Sequence, residues 1–78
     1  QAQTKPIKDK INKIEKEITR LENEIKEANS LLINEANTLP GAKITELMKL
    51  TSANQTSVDK LFDQLSSATQ ELTAIENS

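Results

Sequence analysis

A Leu39-Pro40-Gly41 break divides this chain into two stretches that carry the same apolar repeat. Upstream, Ile7, Ile11, Ile14, Ile18, Leu21, Ile25, Ala28 and Leu32 recur at alternating steps of four and three. Downstream, Ile44, Leu47, Thr51, Asn54, Val58, Leu61, Leu65, Ala68, Leu72 and Ile75 recur in the same way. A period averaging about 3.5 residues over several heptads belongs to helices that pair along a seam. Pro40 cannot continue the first helix but suits the opening of a second. The pattern predicts an all-α chain, an antiparallel two-helix coiled-coil hairpin. Helix 1 is expected near residues 6–36, the turn at 37–41 and helix 2 near 40–76.

The two halves predict their own register. With the turn centred between Leu39 and Pro40, Leu32 faces Leu47, Leu21 faces Val58 and Ile18 faces Leu61. Continuing outward, Ile14 faces Leu65, Ile11 faces Ala68 and Ile7 faces Leu72. If Ile11 and Ile44 are heptad position a, each of these is an a-to-d layer, as antiparallel pairing requires. Two layers are weak, Ala28 opposite Thr51 and Ile25 opposite Asn54. Asn54 has three readings: a register-specifying core polar group, a side chain turned to solvent, or a contact to a partner. Ala28 and Thr51 allow either close helix approach or room for a third helix.

Local signals set the ends. Residues 1–5 lack periodicity and are expected to form a frayed lead-in, with Thr4 capping a helix whose first turn holds Pro6. Asn37 can take the left-handed conformation that ends a helix, Thr38 can cap helix 2, and Gly41 is expected to ease the turn. Glu22–Lys26 and Asp9–Lys13 are acid-first pairs along helix 1. Across the open end, Lys10 is expected near Glu71 and Lys8 near Glu76.

Composition limits what such a hairpin can do. The 78 residues include no Trp, Tyr, Cys or His and a single Phe, Phe62, so the core is aliphatic and neither a disulfide nor a zinc site can brace it. A single small core rarely supplies more than about 3–5 kcal/mol. Completion to a helical bundle, by self-association or by a partner chain, is the expected remedy, and the isolated chain is not expected to be a stable monomer when dilute. Mixed charge and a net charge of −2 argue against a nucleic-acid interface. No apolar run approaches the roughly 20 residues that span a bilayer, and helix 1 lacks the basic face and aromatics of a membrane-surface helix.

Catalysis normally recruits His, Cys, Tyr or an enclosed set of carboxylates. Glu15, Glu22 and Glu24 read as a solvated helix face, and no catalytic, cofactor or metal residue is predicted. Asn54-Gln55-Thr56 matches a glycosylation sequon but lies on the seam and is discounted. The start at Gln1-Ala2-Gln3 gives a weak lean toward an exported, extracytoplasmic protein.

Five large apolar residues lie off the seam: Leu31, Ile33, Met48 and Leu50 toward the turn, and Phe62 farther along helix 2. Their plain explanation is cover from the folded-back turn and Leu39; their sharper one is a partner-docking patch. Small residues such as Ser52, Ala53, Ser66 and Ala74 on the outer side of helix 2 would permit close helix approach. The expected function is a non-enzymatic protein–protein interaction module, offered to a second copy or to a partner helix. The alternative is a rigid spacer or arm of a larger secreted or envelope-associated bacterial protein.

Overall fold

The computed structural model describes residues 3–77. Two helices, α1 (Lys5–Asn34) and α2 (Gly41–Glu76), pack against each other in a rod of 58 × 15 × 14 Å. Every expected seam position is buried or half-buried. Among the other described residues, only Thr4, Glu17, Glu24 and Leu39 are drawn in from full exposure. The deepest cluster holds Ile14, Ile18, Leu21 and Val58, with Ile25, Leu61 and Leu65 packed on it. Those residues are the three central layers of the expected register plus one half of the next.

Ala28 is only 2% exposed. Its small side chain therefore brings the helices together, and no third helix is needed to cover that layer. Asn54 is likewise buried, at 8% exposure, so it does not turn to solvent.

Charge reinforces the antiparallel arrangement. Residues 5–16 carry five lysines against Asp9 and Glu15, whereas residues 59–76 carry Lys60 against Asp59, Asp63, Glu71 and Glu76. The hairpin sets these two segments side by side. On α1 alone the polarity is adverse, because its first turn holds no acid and its last turn no base. Attraction to α2 offsets this. It acts as a diffuse field, because the ion pairs among the described residues are Arg20–Glu17, Arg20–Glu24 and Lys43–Glu46, each within one helix.

The specific pairs expected from sequence do not close. Lys8 and Glu76 are about five residues, roughly 7 Å, out of axial register. Lys10 and Glu71 are closer, about two residues or roughly 3 Å from level, and an exposed pair returns too little to hold two long side chains in one geometry. Glu22–Lys26 and Asp9–Lys13 likewise form no ion pair, and the carboxylates that Arg20 holds on α1 are those of Glu17 and Glu24.

The ends differ from expectation in instructive ways. Of the expected lead-in, Gln1 and Ala2 lie outside the described residues. Thr4 is buried, because it stands one heptad before Ile11 and extends the seam. Its backbone is already helical (φ −91°, ψ −24°), it makes no side-chain capping hydrogen bond, and its carbonyl accepts from Lys8 N–H at 2.9 Å.

Helix α1 stops at Asn34, two residues early. The Glu35 carbonyl gathers three donors, the N–H groups of Thr38 and Leu39 at 3.0 Å and the Thr38 hydroxyl at 3.1 Å. The chain folds back here, and Leu39 is half-buried in the connection. Thr38 is thereby committed to α1, and Pro40 occupies the cap position of α2, its carbonyl accepting from Lys43 and Ile44. No described residue has a positive φ, so neither Asn37 nor Gly41 supplies a left-handed turn. A Cβ at Gly41 would meet nothing within 4 Å.

Ser- and Thr-rich α2 remains helical through its buried apolar face, and several of its hydroxyls bond back to the preceding turn. Thr51, Thr56 and Thr69 donate to the carbonyls of Met48, Ser52 and Leu65.

Candidate functional site

In an antiparallel pair, positions g and d share one flank of the seam, and positions e and a share the other. The two flanks of this hairpin have different chemistry. On the g flank, Asn54 Nδ2 donates to Glu24 Oε1 at 3.0 Å, joining α2 to α1. Glu24 Oε2 accepts from Arg20 Nη1 at 2.5 Å, and Arg20 also donates to Glu17 through both Nε and Nη2. The Arg20 hydrogen bond holds the Glu17 carboxyl below its ordinary value, with desolvation opposing and the guanidinium charge assisting. Arg20 is raised in turn, first by the hydrogen bond with Glu17. This chain of side chains ties the weakest apolar layer of the seam into a polar one.

The relay was not anticipated from sequence. Its signal was present: Glu17 and Glu24 stand one heptad apart at g, with Arg20 spaced to reach both, and Glu24 is level with Asn54.

The five candidate docking residues are all exposed, and they do not form one patch. Leu31 and Leu50, both at g and 38% and 39% exposed, lie beside the polar relay toward the tip. Met48 and Phe62, both at e on α2, lie on the opposite flank at 59% and 47% exposure. Ile33 of α1 belongs to that flank too and is the most exposed of the five, at 79%. Met48 and Ile33 are near one another in axial level, whereas Phe62 stands two heptads, about 21 Å, from Met48. Leu39 is half-buried, yet all five remain exposed, so it does not cover them.

An open groove of about 520 Å³ lies on this e flank, lined by half-buried Ile25 with Glu22, Lys26, Asn29, Ser30 and Ile33 of α1 and by Gln55 of α2. A smaller one of about 270 Å³ is lined by Asn12, Glu15, Lys16 and Thr19. Both are shallow surface features and enclose no reaction volume. No group of three or more His, Cys, Asp or Glu among the described residues is placed to hold a metal ion. No helix of the described chain is long and apolar enough to cross a membrane.

No protein-family model matches this chain, nor does any curated protein or solved structure. Its surface is the guide to its role.

Proposed function

We propose that this chain is a non-enzymatic protein–protein interaction module, a helical hairpin whose e flank docks a second copy or a partner helix. The observation that carries the reading is the exposure of Ile33, Met48 and Phe62 on one flank of a rod already closed along its seam. None of the three is needed to complete a seam layer, and large apolar side chains left in water favour association. The helix-in-groove mode of recognition uses such anchors at helical spacing.

Replacing Ile33, Met48 and Phe62 together by Gln tests the reading. At micromolar concentration the substitution should lower the sedimenting mass and the melting temperature in parallel. The difference in melting temperature should vanish on dilution, as the unmodified chain dissociates. A difference that persists unchanged through dilution means these residues serve the hairpin itself, and the docking reading then falls.

A spacer or arm is the second reading, favoured by the 58 Å length of the rod. It requires no exposed anchors and so leaves Ile33, Met48 and Phe62 without a role.

A further inference from the structure

We infer that the e flank is closed by a second copy of this chain. The two hairpins lie side by side with their tips together, so that α2 of each packs antiparallel onto α1 of the other. This inference rests on the docking reading and names its partner.

The recesses of α1 and the protrusions of α2 match in spacing. One recess is formed by Asn12, Glu15, Lys16 and Thr19; the other, longer one runs along Glu22, Ile25, Lys26, Asn29, Ser30 and Ile33 with Gln55 of α2 at its edge, and contains the quartet Lys26, Asn29, Ser30 and Ile33. Each quartet has the i, i+3, i+4, i+7 spacing of a hole that receives one side chain from a neighbouring helix. The second quartet, at the tip end of its longer recess, lies fourteen residues beyond the first, the same separation as that of Met48 and Phe62. Aliphatic stems of Glu15, Lys16 and Lys26 line the holes while their charged ends reach water.

The axial levels agree as well. Within the hairpin, Phe62 is level with the first hole and Met48 with the second. A two-fold axis along the rod preserves level, so the partner's Phe62 reaches the first hole and the partner's Met48 the second without any slip. The same operation repeats both contacts in the other direction, giving an isologous interface of four anchors.

Charge selects this direction. The lysine-rich start of α1 comes to lie beside the acidic end of the second copy's α2, with Lys16 level with the partner's Asp63. A two-fold axis across the rod would instead set α1 against α1. The holes would then face the column of Glu15, Glu22 and Asn29, which holds no large apolar side chain.

The chain has no cysteine, which makes disulfide mapping clean. Asn12→Cys and Ser66→Cys chains should each form little covalent dimer alone under mild oxidation, but their mixture should form a disulfide-linked pair of twice the mass. Met48→Glu and Phe62→Glu together should weaken dimerisation on the order of a hundred-fold, as expected when central anchors are lost. Leu50→Glu, on the opposite flank, should leave it unchanged, with circular dichroism confirming that each variant is helical.

Efficient cross-linking of Asn12→Cys to itself would show α1 on α1 and overturn the arrangement. So would association that survives Met48→Glu with Phe62→Glu and yields no mixed disulfide, although docking by another geometry would then stand. A wild-type chain that sediments as a monomer at micromolar concentration sinks the second copy. The docking reading is judged separately, by whether the Gln variant's melting difference persists on dilution.

Discussion

Asn54 and Glu24, thirty residues apart in sequence, share a 3.0 Å hydrogen bond across the seam of the hairpin. The amide is buried, so the bond satisfies a group that would otherwise be costly, while the carboxylate remains partly hydrated and held by Arg20. A slip of one layer in either direction would strand the amide against aliphatic side chains. The bond therefore discriminates between registers more than it adds to stability.

Asn54→Leu should accordingly melt at or above the temperature of the unmodified chain, because a leucine there extends the apolar seam and Glu24 keeps its arginine. Thermal denaturation followed by circular dichroism checks this. A variant that fails to fold would show that the amide is needed for more than register.

Ile18→Ala should cost more than Leu61→Ala, although both belong to the same apolar cluster. Ile18 is buried, whereas Leu61 is only half-buried at the edge of the same cluster. Truncation of a well-buried aliphatic side chain costs about 2–5 kcal/mol, and a seam this narrow places Ile18 toward the lower end. Urea titrations of the two variants, compared at equal chain concentration, give the ordering.

The inward-facing positions could be read from the sequence, because the period is set by apolar burial, and each of them is buried or half-buried in the hairpin. The ends could not. Thr4 has the chemistry of a cap but stands at a heptad position, and burial prevailed over local capping. Asn37, Thr38 and Gly41 each carry a turn propensity, yet the path follows the Glu35 carbonyl, which collects the N–H groups of Thr38 and Leu39 and the Thr38 hydroxyl. The five docking candidates were legible as exposed. Their division between two flanks follows only when g and e columns are traced around both helices together.

Gly41→Ala should stabilise the hairpin by up to about 1 kcal/mol. The position has a negative φ and open space where the Cβ would stand, so alanine costs nothing sterically and reduces the freedom of the unfolded chain. A rise in melting temperature is the expected result, and a fall would show that the turn relies on glycine.

Acid should remove a small part of the stability through Glu17. Its folded carboxyl is held below the ordinary value, chiefly by the Arg20 hydrogen bond. The contribution is therefore complete above the usual carboxylate range and is lost as pH falls through the lowered folded value. Glu17→Gln should flatten the low-pH limb of a plot of melting temperature against pH. The pair is solvent-exposed, so added salt should shrink the difference.

Lys10→Ala and Glu71→Ala should each shift stability by less than about 0.5 kcal/mol, since no ion pair joins them. A double-mutant cycle should return a coupling near zero.

The short connection between Asn34 and Gly41 places Lys5 and Glu76 at the same end of the rod. Tension applied at those two points would load one layer at a time, beginning with Ile7 and Leu72 and advancing toward Leu32 and Leu47. Such a hairpin unzips under pulling, whereas axial compression meets all its layers at once. As a mechanical part, this rod is a strut and not a tether.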